Sequence, residues 1–259
     1  MTLPYKAFIF ICLGAFIALP ATAQTVYHRV VQQTGLDSVA HAYVREVREQ
    51  VGDYQVHPAA QRFVDTYGPD SLEAWMRSYL KRELTPAAAE QALAQWPAGH
   101  RQHPPLSLLT QLPYSFIEEP ANPDPKEWKP GAYDKMVLKL DEQCYLSHMA
   151  EENTLKLLCI MQALRDISQP VAERPTPNYI RNLASYSQPN IQKRAQHYYR
   201  IELLELLRKT DKALNQQALA YWQTPAGEQY AFLVHQALGY AMAQWEMAAY
   251  EALQTAEAE

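Results

Sequence analysis

The chain has 259 residues, 48% of them hydrophobic, and a formal net charge of -5 at pH 7. This negative balance excludes nucleic acid as an expected partner, because phosphate backbones attract basic surfaces. Only 8 residues are glycine, and no stretch alternates apolar and polar residues as a strand does. Composition and patterning therefore predict an all-α protein, with enough chain for one large domain or two smaller ones.

The first residues have the pattern of a secretory signal. Lys6 precedes an uncharged run at residues 7–19, and the small residues Ala21-Thr22-Ala23 follow. The apolar run is shorter than the roughly 20 residues that span a bilayer. We therefore expect a signal peptide at residues 1–23, cleavage before Gln24, a periplasmic or secreted protein, and no membrane span after signal removal.

Residues 24–100 are predicted to form an N-terminal helical half. Apolar residues recur every three or four positions from Val26 to Val51, which indicates helix, and Gly35 divides this stripe into two helices. Three later helices are predicted in this half. The first covers residues 59–67 and is stopped by Gly68-Pro69, and the second covers residues 72–84 with Ser71 as its cap. The third begins at Thr85-Pro86.

Prolines mark the middle of the chain. Eight of the 18 lie between Pro97 and Pro130, so we interpret residues 101–131 as a Pro-rich linker. Residues 132–259 are then a C-terminal helical half. Its predicted elements are a helical pattern from Leu140 to Ile167 in two pieces, a break at 169–177, a core segment at 191–207, and a long helix from Pro225 with two apolar faces.

A repeated signature suggests that the two halves are related. The sequence QALAQWPAG ends at Gly99, and QALAYWQTPAG ends at Gly227, with Thr224 as a predicted N-cap before Pro225. The segments at residues 133–137 and 186–190 can also be aligned with residues 27–31 and 67–70, in the same order. We therefore predict an internal duplication, with chance similarity as the alternative. The signature residues are Trp96, Pro97, Gly99, Trp222, Pro225 and Gly227.

Cys144, His148 and Glu152 recur at steps of four residues. On a continuous helix they would share one face and could offer thiolate, imidazole and carboxylate to zinc, with Glu151 as the alternative carboxylate. No second ligand motif accompanies them. Cys144 also falls on a half-apolar face, which counts against a metal site, and the sequence predicts no cofactor.

Cys144 and Cys159 are the two cysteines that follow the predicted signal peptide. An oxidising compartment would allow them to pair. On one straight helix they would lie about 22 Å apart, so a disulfide would require a turn near residues 151–154. The sequence is equally compatible with a bridge and with two free thiols.

Tyrosine is abundant, with 17 residues in the chain. Aromatic residues that line a groove suit an apolar ligand or a peptide, and burial in the core is the alternative. The predicted groove residues are Tyr186, Tyr198, Tyr221, Trp222, Tyr230 and Tyr240.

The segment from Leu219 to Tyr230 resembles the hallmark of a family of small helical proteins of unknown function from the periplasm of Gram-negative bacteria. That hallmark is an aromatic pair, any residue, Ser or Thr, Pro, any residue and Gly, followed by an amphipathic helix. Residues 33–36 also resemble the family's N-terminal helix junction, whereas the first signature copy lacks the Gln-Thr insertion. The resemblance implies export and a helical fold, and it adds no catalytic residue.

The sequence favours a protein that acts by binding. The expected ligand is an envelope-associated protein partner, a peptide or a small apolar molecule. The alternative is a hydrolase or metal-dependent enzyme with a site in the cleft between the halves. The chain lacks the common motifs of nucleophilic, zinc-protease and nucleotide sites, so no catalytic residue is assigned, and no pattern specifies the oligomeric state.

Overall fold

The computed structural model describes residues 21–53, 57–95, 134–209 and 212–256. Within these ranges the chain forms α-helices and one 3-10 turn and contains no strand, which confirms the all-α prediction. The helices are α1 (Ala21–Thr34), α2 (Leu36–Asp53), α3 (Pro58–Thr66), α4 (Pro69–Glu83), α5 (Pro86–Gln95), α6 (Asp134–Cys144), α7 (Leu146–Asp166), α8 (Pro177–Ser185), α9 (Gln188–Lys209), α10 (Lys212–Trp222) and α11 (Pro225–Thr255), and the 3-10 turn is Val171–Glu173.

Several helices begin at a proline, whose missing N–H costs nothing in the first turn. The side chain of Thr224 accepts a hydrogen bond from the N–H of Gly227 at 3.1 Å, as its predicted role as N-cap requires. Helix α4 differs from the prediction, because Gly68 is its N-cap and Ser71 lies inside the first turn. The prolines in first turns include Pro58, Pro69, Pro177 and Pro225.

Two left-handed residues separate consecutive helices. Gly35 has a φ of 75° between α1 and α2, and Tyr145 has a φ of 55° between α6 and α7. The second break is held by Asp141, whose carboxylate accepts hydrogen bonds from the backbone N–H and the hydroxyl of Ser147 in the first turn of α7. These bonds satisfy groups that a helix start leaves without intrahelical partners.

Helix α11 lies at the centre of the described packing. It packs most extensively against α7 on one side and α4 on the other, and it also contacts α3, α5, α6 and α10. Trp245 stacks on Phe63 with ring centroids 6.2 Å apart, and Tyr240 lies 5.7 Å from Tyr79. The two apolar faces of α11 therefore have neighbours on two sides. These neighbours belong to both predicted halves of the chain, not to the C-terminal half alone.

Arg174 joins the ends of two helices. Its side chain is buried, and its guanidinium donates hydrogen bonds to carbonyl oxygens at distances of 2.6–2.9 Å. The acceptors after α7 are Ile167 and Gln169, and those at the end of α11 are Leu253 and Ala256. One side chain thus satisfies carbonyls that helix C-termini leave without intrahelical partners.

Helix pairings recur in the two predicted halves. Helix α1 packs on α2, α4 and α5, and α6 packs on α7, α9 and α10; α2 also packs on α3 and α4, as α7 does on α8 and α9. A duplicated unit would produce this correspondence. Common origin of the halves stays a prediction, as does the division into domains.

The second signature copy forms the turn between α10 and α11. Trp222 ends α10 and is buried. A Cβ atom added at Gly227 would lie 2.3 Å from the carbonyl oxygen of Tyr221, so the close approach of the two helices requires glycine. In the first copy, Trp96, Pro97 and Gly99 lie outside the described residues, as does the predicted linker at 101–131.

No helix predicted from the sequence covers α8, although Thr176 caps it and Pro177 begins it. Its nine residues are short for a periodicity argument, and among them only Ile180 is buried. None of the described helices combines the length and apolar character that crossing a membrane requires.

Candidate functional site

A surface cleft lies between α7, α8, α11 and the first residue of α9. Its volume is about 350 Å³, which is within the range of small-molecule sites. Its walls carry charges of both signs together with small apolar groups. The charged lining residues are Glu152, Lys156, Arg181 and Glu246.

Glu246 supplies a buried carboxylate to the cleft. Arg181 Nε donates to Glu246 Oε1 at 2.9 Å, and the hydroxyl of Tyr250 donates to the same oxygen at 2.7 Å. The guanidinium also lies over the Tyr250 ring, 5.1 Å from its centroid. These contacts fix the carboxylate of Glu246, while about half of the Arg181 side chain stays exposed.

Lys156 and Glu152 form a second pair of opposite charge. Lys156 Nζ lies 3.9 Å from Glu152 Oε2, one helical turn away on α7. Burial lowers the pKa of Lys156, although the carboxylates of Glu152 and Glu246 act in the opposite direction. The cleft therefore holds an ammonium group that has lost part of its hydration without gaining a short ion pair.

Cys159 lies in the wall of the cleft as a buried thiol. Burial raises its pKa. Since the thiolate is the reactive form of cysteine, this environment disfavours nucleophilic chemistry at Cys159.

His148, Glu152 and His235 form a group beside the cleft, which we call the histidine group. His148 Nε2 lies 3.6 Å from Glu152 Oε1, and His235 Nε2 lies 3.1 Å from Glu152 Oε2. One ligand atom from each residue can be chosen so that all three lie within 4.8 Å of one another. Within the described ranges this is the set of side chains whose geometry could hold a metal ion.

His235 is the buried member of the histidine group. Its ring stacks on that of Tyr145, with centroids 5.3 Å apart and an interplanar angle of 10°. The hydrogen bond between His235 and Glu152 is the main cause of a lowered pKa at Glu152. The carboxylate is therefore held in its charged form, which is the form that binds cations.

The structure corrects the predicted metal set. Cys144 ends α6, and the left-handed residue Tyr145 separates it from α7, so Cys144 and His148 do not belong to one continuous helix. The Cys144 thiol is buried, and burial raises its pKa well above the usual value. The third residue of the set is therefore His235 and not Cys144, which the sequence predicted.

Both Cys144 and Cys159 are free thiols in the structure. The turn that a bridge would have needed near residues 151–154 is absent, because α7 is continuous over Leu146–Asp166. The rise along α7 from Leu146 to Cys159 is about 20 Å, whereas a disulfide needs Cα atoms within about 7 Å.

The aromatic residues predicted for a groove do not meet at one open surface. Trp222 and Tyr230 fill the core, with ring centroids 5.5 Å apart, because the α10–α11 turn folds both rings inward. Tyr240 packs on α4, and Tyr186 is 82% exposed. Tyr198 and Tyr221 are partly buried.

The site residues predicted from the sequence do not include four residues that the structure brings together, namely His235, Lys156, Arg181 and Glu246. His235 and Glu246 are polar residues inside the otherwise apolar pattern of α11, and both are buried. A buried polar side chain needs a partner. These two polar residues within an apolar pattern are therefore the feature of the sequence that indicates a site on α11. Their partners on α7 and α8 could not be identified without the fold.

Comparisons with protein-family models, with curated proteins and with solved structures found no match to this chain.

Proposed function

We propose that this chain is an exported all-α binding protein whose cleft holds a short peptide by its two charged ends. The observation that carries this proposal is the presence of two cations, Lys156 and Arg181, and two carboxylates, Glu152 and Glu246, around one volume of about 350 Å³. A terminal carboxylate pairs with ammonium or guanidinium groups, and a terminal ammonium pairs with carboxylates.

The state of the charged groups supports a zwitterionic ligand. Lys156 is largely buried, and its 3.9 Å separation from Glu152 is long for a hydrogen bond. Arg181 uses Nε for Glu246, and a guanidinium has further N–H donors to offer. Leu155 and Ala184 add an apolar wall for a ligand side chain.

The peptide alanyl-alanine provides a direct test by isothermal titration calorimetry. We expect the free dipeptide to bind. Its N-acetylated and C-amidated forms should bind at least about tenfold more weakly, because each has lost one charged contact. Lys156→Met should weaken binding of the free dipeptide and leave binding of the C-amidated form nearly unchanged.

Lys193→Met is the matched control, because Lys193 is an exposed lysine on α9 that does not line the cleft. This substitution should leave all three titrations unaltered. Absence of binding by alanyl-alanine, or equal affinity for the free and capped forms, would contradict the proposal.

Export is a separate part of the proposal and rests on the N-terminal sequence pattern. We expect N-terminal sequencing of protein recovered from the periplasm or medium of a Gram-negative host to begin at Gln24. Recovered protein that retains Met1 or Lys6 would count against export by this signal.

A further inference from the structure

The histidine group combines the ligand types that divalent transition metals prefer. Two imidazoles and one carboxylate form one of the three-residue sets that hold zinc while leaving a fourth position open. His148 and Glu152 lie one turn apart on α7, and His235 is on α11. We propose that these three residues bind a divalent first-row transition-metal ion, with Zn²⁺ as the probe.

The distances in the group are close to those of a tetrahedral site. Ligand atoms about 2.0–2.1 Å from zinc at tetrahedral angles lie roughly 3.3 Å from one another. The two imidazoles approach different oxygens of Glu152, His148 at 3.6 Å from Oε1 and His235 at 3.1 Å from Oε2, and these separations lie on either side of that value. With one ligand atom taken from each residue, all three atoms lie within 4.8 Å of one another, so binding requires an inward movement of one imidazole.

Unequal burial of the three residues identifies the imidazole that moves. His235 is 7% exposed at its side chain and is held by the Tyr145 ring, so it provides a fixed ligand. The His148 side chain is 56% exposed and can turn towards Glu152 and His235 at low cost. Its exposure also leaves room on the solvent side for water as a fourth ligand.

Charge at the site favours a cation through Glu152 and opposes it through Lys156. The ammonium of Lys156 lies 3.9 Å from Glu152 Oε2 and would compete with a metal for that oxygen. It is also within electrostatic reach of Glu246, so Lys156 can turn towards the second carboxylate when a metal occupies Glu152. The bound ion would then lie at the wall of the cleft, on the carboxylate of Glu152.

Zinc binding by the full-length mature protein can be measured by competition with a chromogenic chelator, without any peptide present. We expect one Zn²⁺ per chain. His148→Ala and His235→Gln should each weaken zinc binding by at least roughly 10- to 100-fold. Loss of a residue that only supports a metal ligand already has an effect of that size. The Co²⁺-substituted protein should show the visible absorption of a four-coordinate site and no thiolate charge-transfer band, because Cys144 is not a ligand.

His41→Ala is the matched control for His148→Ala, because both residues are exposed histidines on helices. It should leave zinc affinity unchanged. Because His148 is exposed, its replacement by alanine should not disturb folding. His148→Ala therefore tests the proposal even if His235→Gln, at a buried position, destabilises the fold. Zinc binding that is substoichiometric, or that is unaffected by His148→Ala, would overturn the proposal, as would a Co²⁺–thiolate band. None of these readouts depends on peptide binding in the cleft.

Discussion

Replacing Trp222 by alanine is expected to lower the free energy of unfolding by about 3 to 5 kcal/mol. The indole is 1% exposed and packs against the rings of Tyr221 and Tyr230, at centroid distances of 5.1 and 5.5 Å. Removing it leaves a cavity where α10 turns into α11. The close backbone contact at Gly227 limits how far the two helices can move together to fill that cavity.

Urea unfolding followed by far-ultraviolet circular dichroism measures the Trp222 effect. Trp75→Ala is the matched control, because Trp75 is only partly buried and stacks on Tyr67 at the surface of the core. We expect a clearly smaller loss for Trp75→Ala, and a smaller loss for Trp222→Phe, which retains an aromatic ring. Equal losses for the two alanine variants would show that the α10–α11 turn is not a core element.

Arg174→Met is expected to lower the free energy of unfolding by about 3 kcal/mol or more. Methionine keeps an unbranched apolar side chain but cannot donate, so carbonyl groups at the ends of α7 and α11 lose their partner. Hydrogen bonds to charged groups contribute about 1.5–3 kcal/mol each, and buried acceptors left without a donor add a desolvation penalty. Arg174→Lys should give an intermediate loss, because an ammonium is a point donor rather than a fork.

The same urea titrations test the Arg174 prediction. Arg62→Met is the control, since Arg62 is exposed on α3 and surface substitutions usually change stability by less than about 0.5 kcal/mol. Hydrogen exchange should also become faster in the last turn of α11 in Arg174→Met but not in Arg62→Met. If Arg174→Met changed stability as little as Arg62→Met does, Arg174 would not join the two helix ends.

Several helix boundaries could be predicted because local chemistry determines them. Gly35 separates two helices, and Thr224-Pro225 begins α11, since each residue type prefers the backbone conformation found at its position. The break at Tyr145 could not be predicted in this way. Tyrosine has no preference for left-handed backbone, and the break depends on the hydrogen bonds between Asp141 and Ser147.

The candidate sites were less predictable than the helices, because they depend on contacts between distant parts of the chain. Glu152 and His235 are 83 positions apart in sequence, and Arg181 and Glu246 are 65 apart. Spacing within one helix correctly indicated that His148 and Glu152 are neighbours. It wrongly added Cys144, because the same rule assumed that the helix continues through Tyr145.

The central position of α11 has a consequence for the order of events during biosynthesis. Phe63 and Trp245, which stack in the core, are separated by 182 positions (245 minus 63). Chains are made from the N-terminus, so α3 and α4 emerge from the ribosome long before the helix that covers them. Contacts of such long range form late and slowly. Helix α4 therefore lacks its main packing partner until residues 225–255 have been synthesised, so the first helices cannot complete their packing before nearly the whole chain exists.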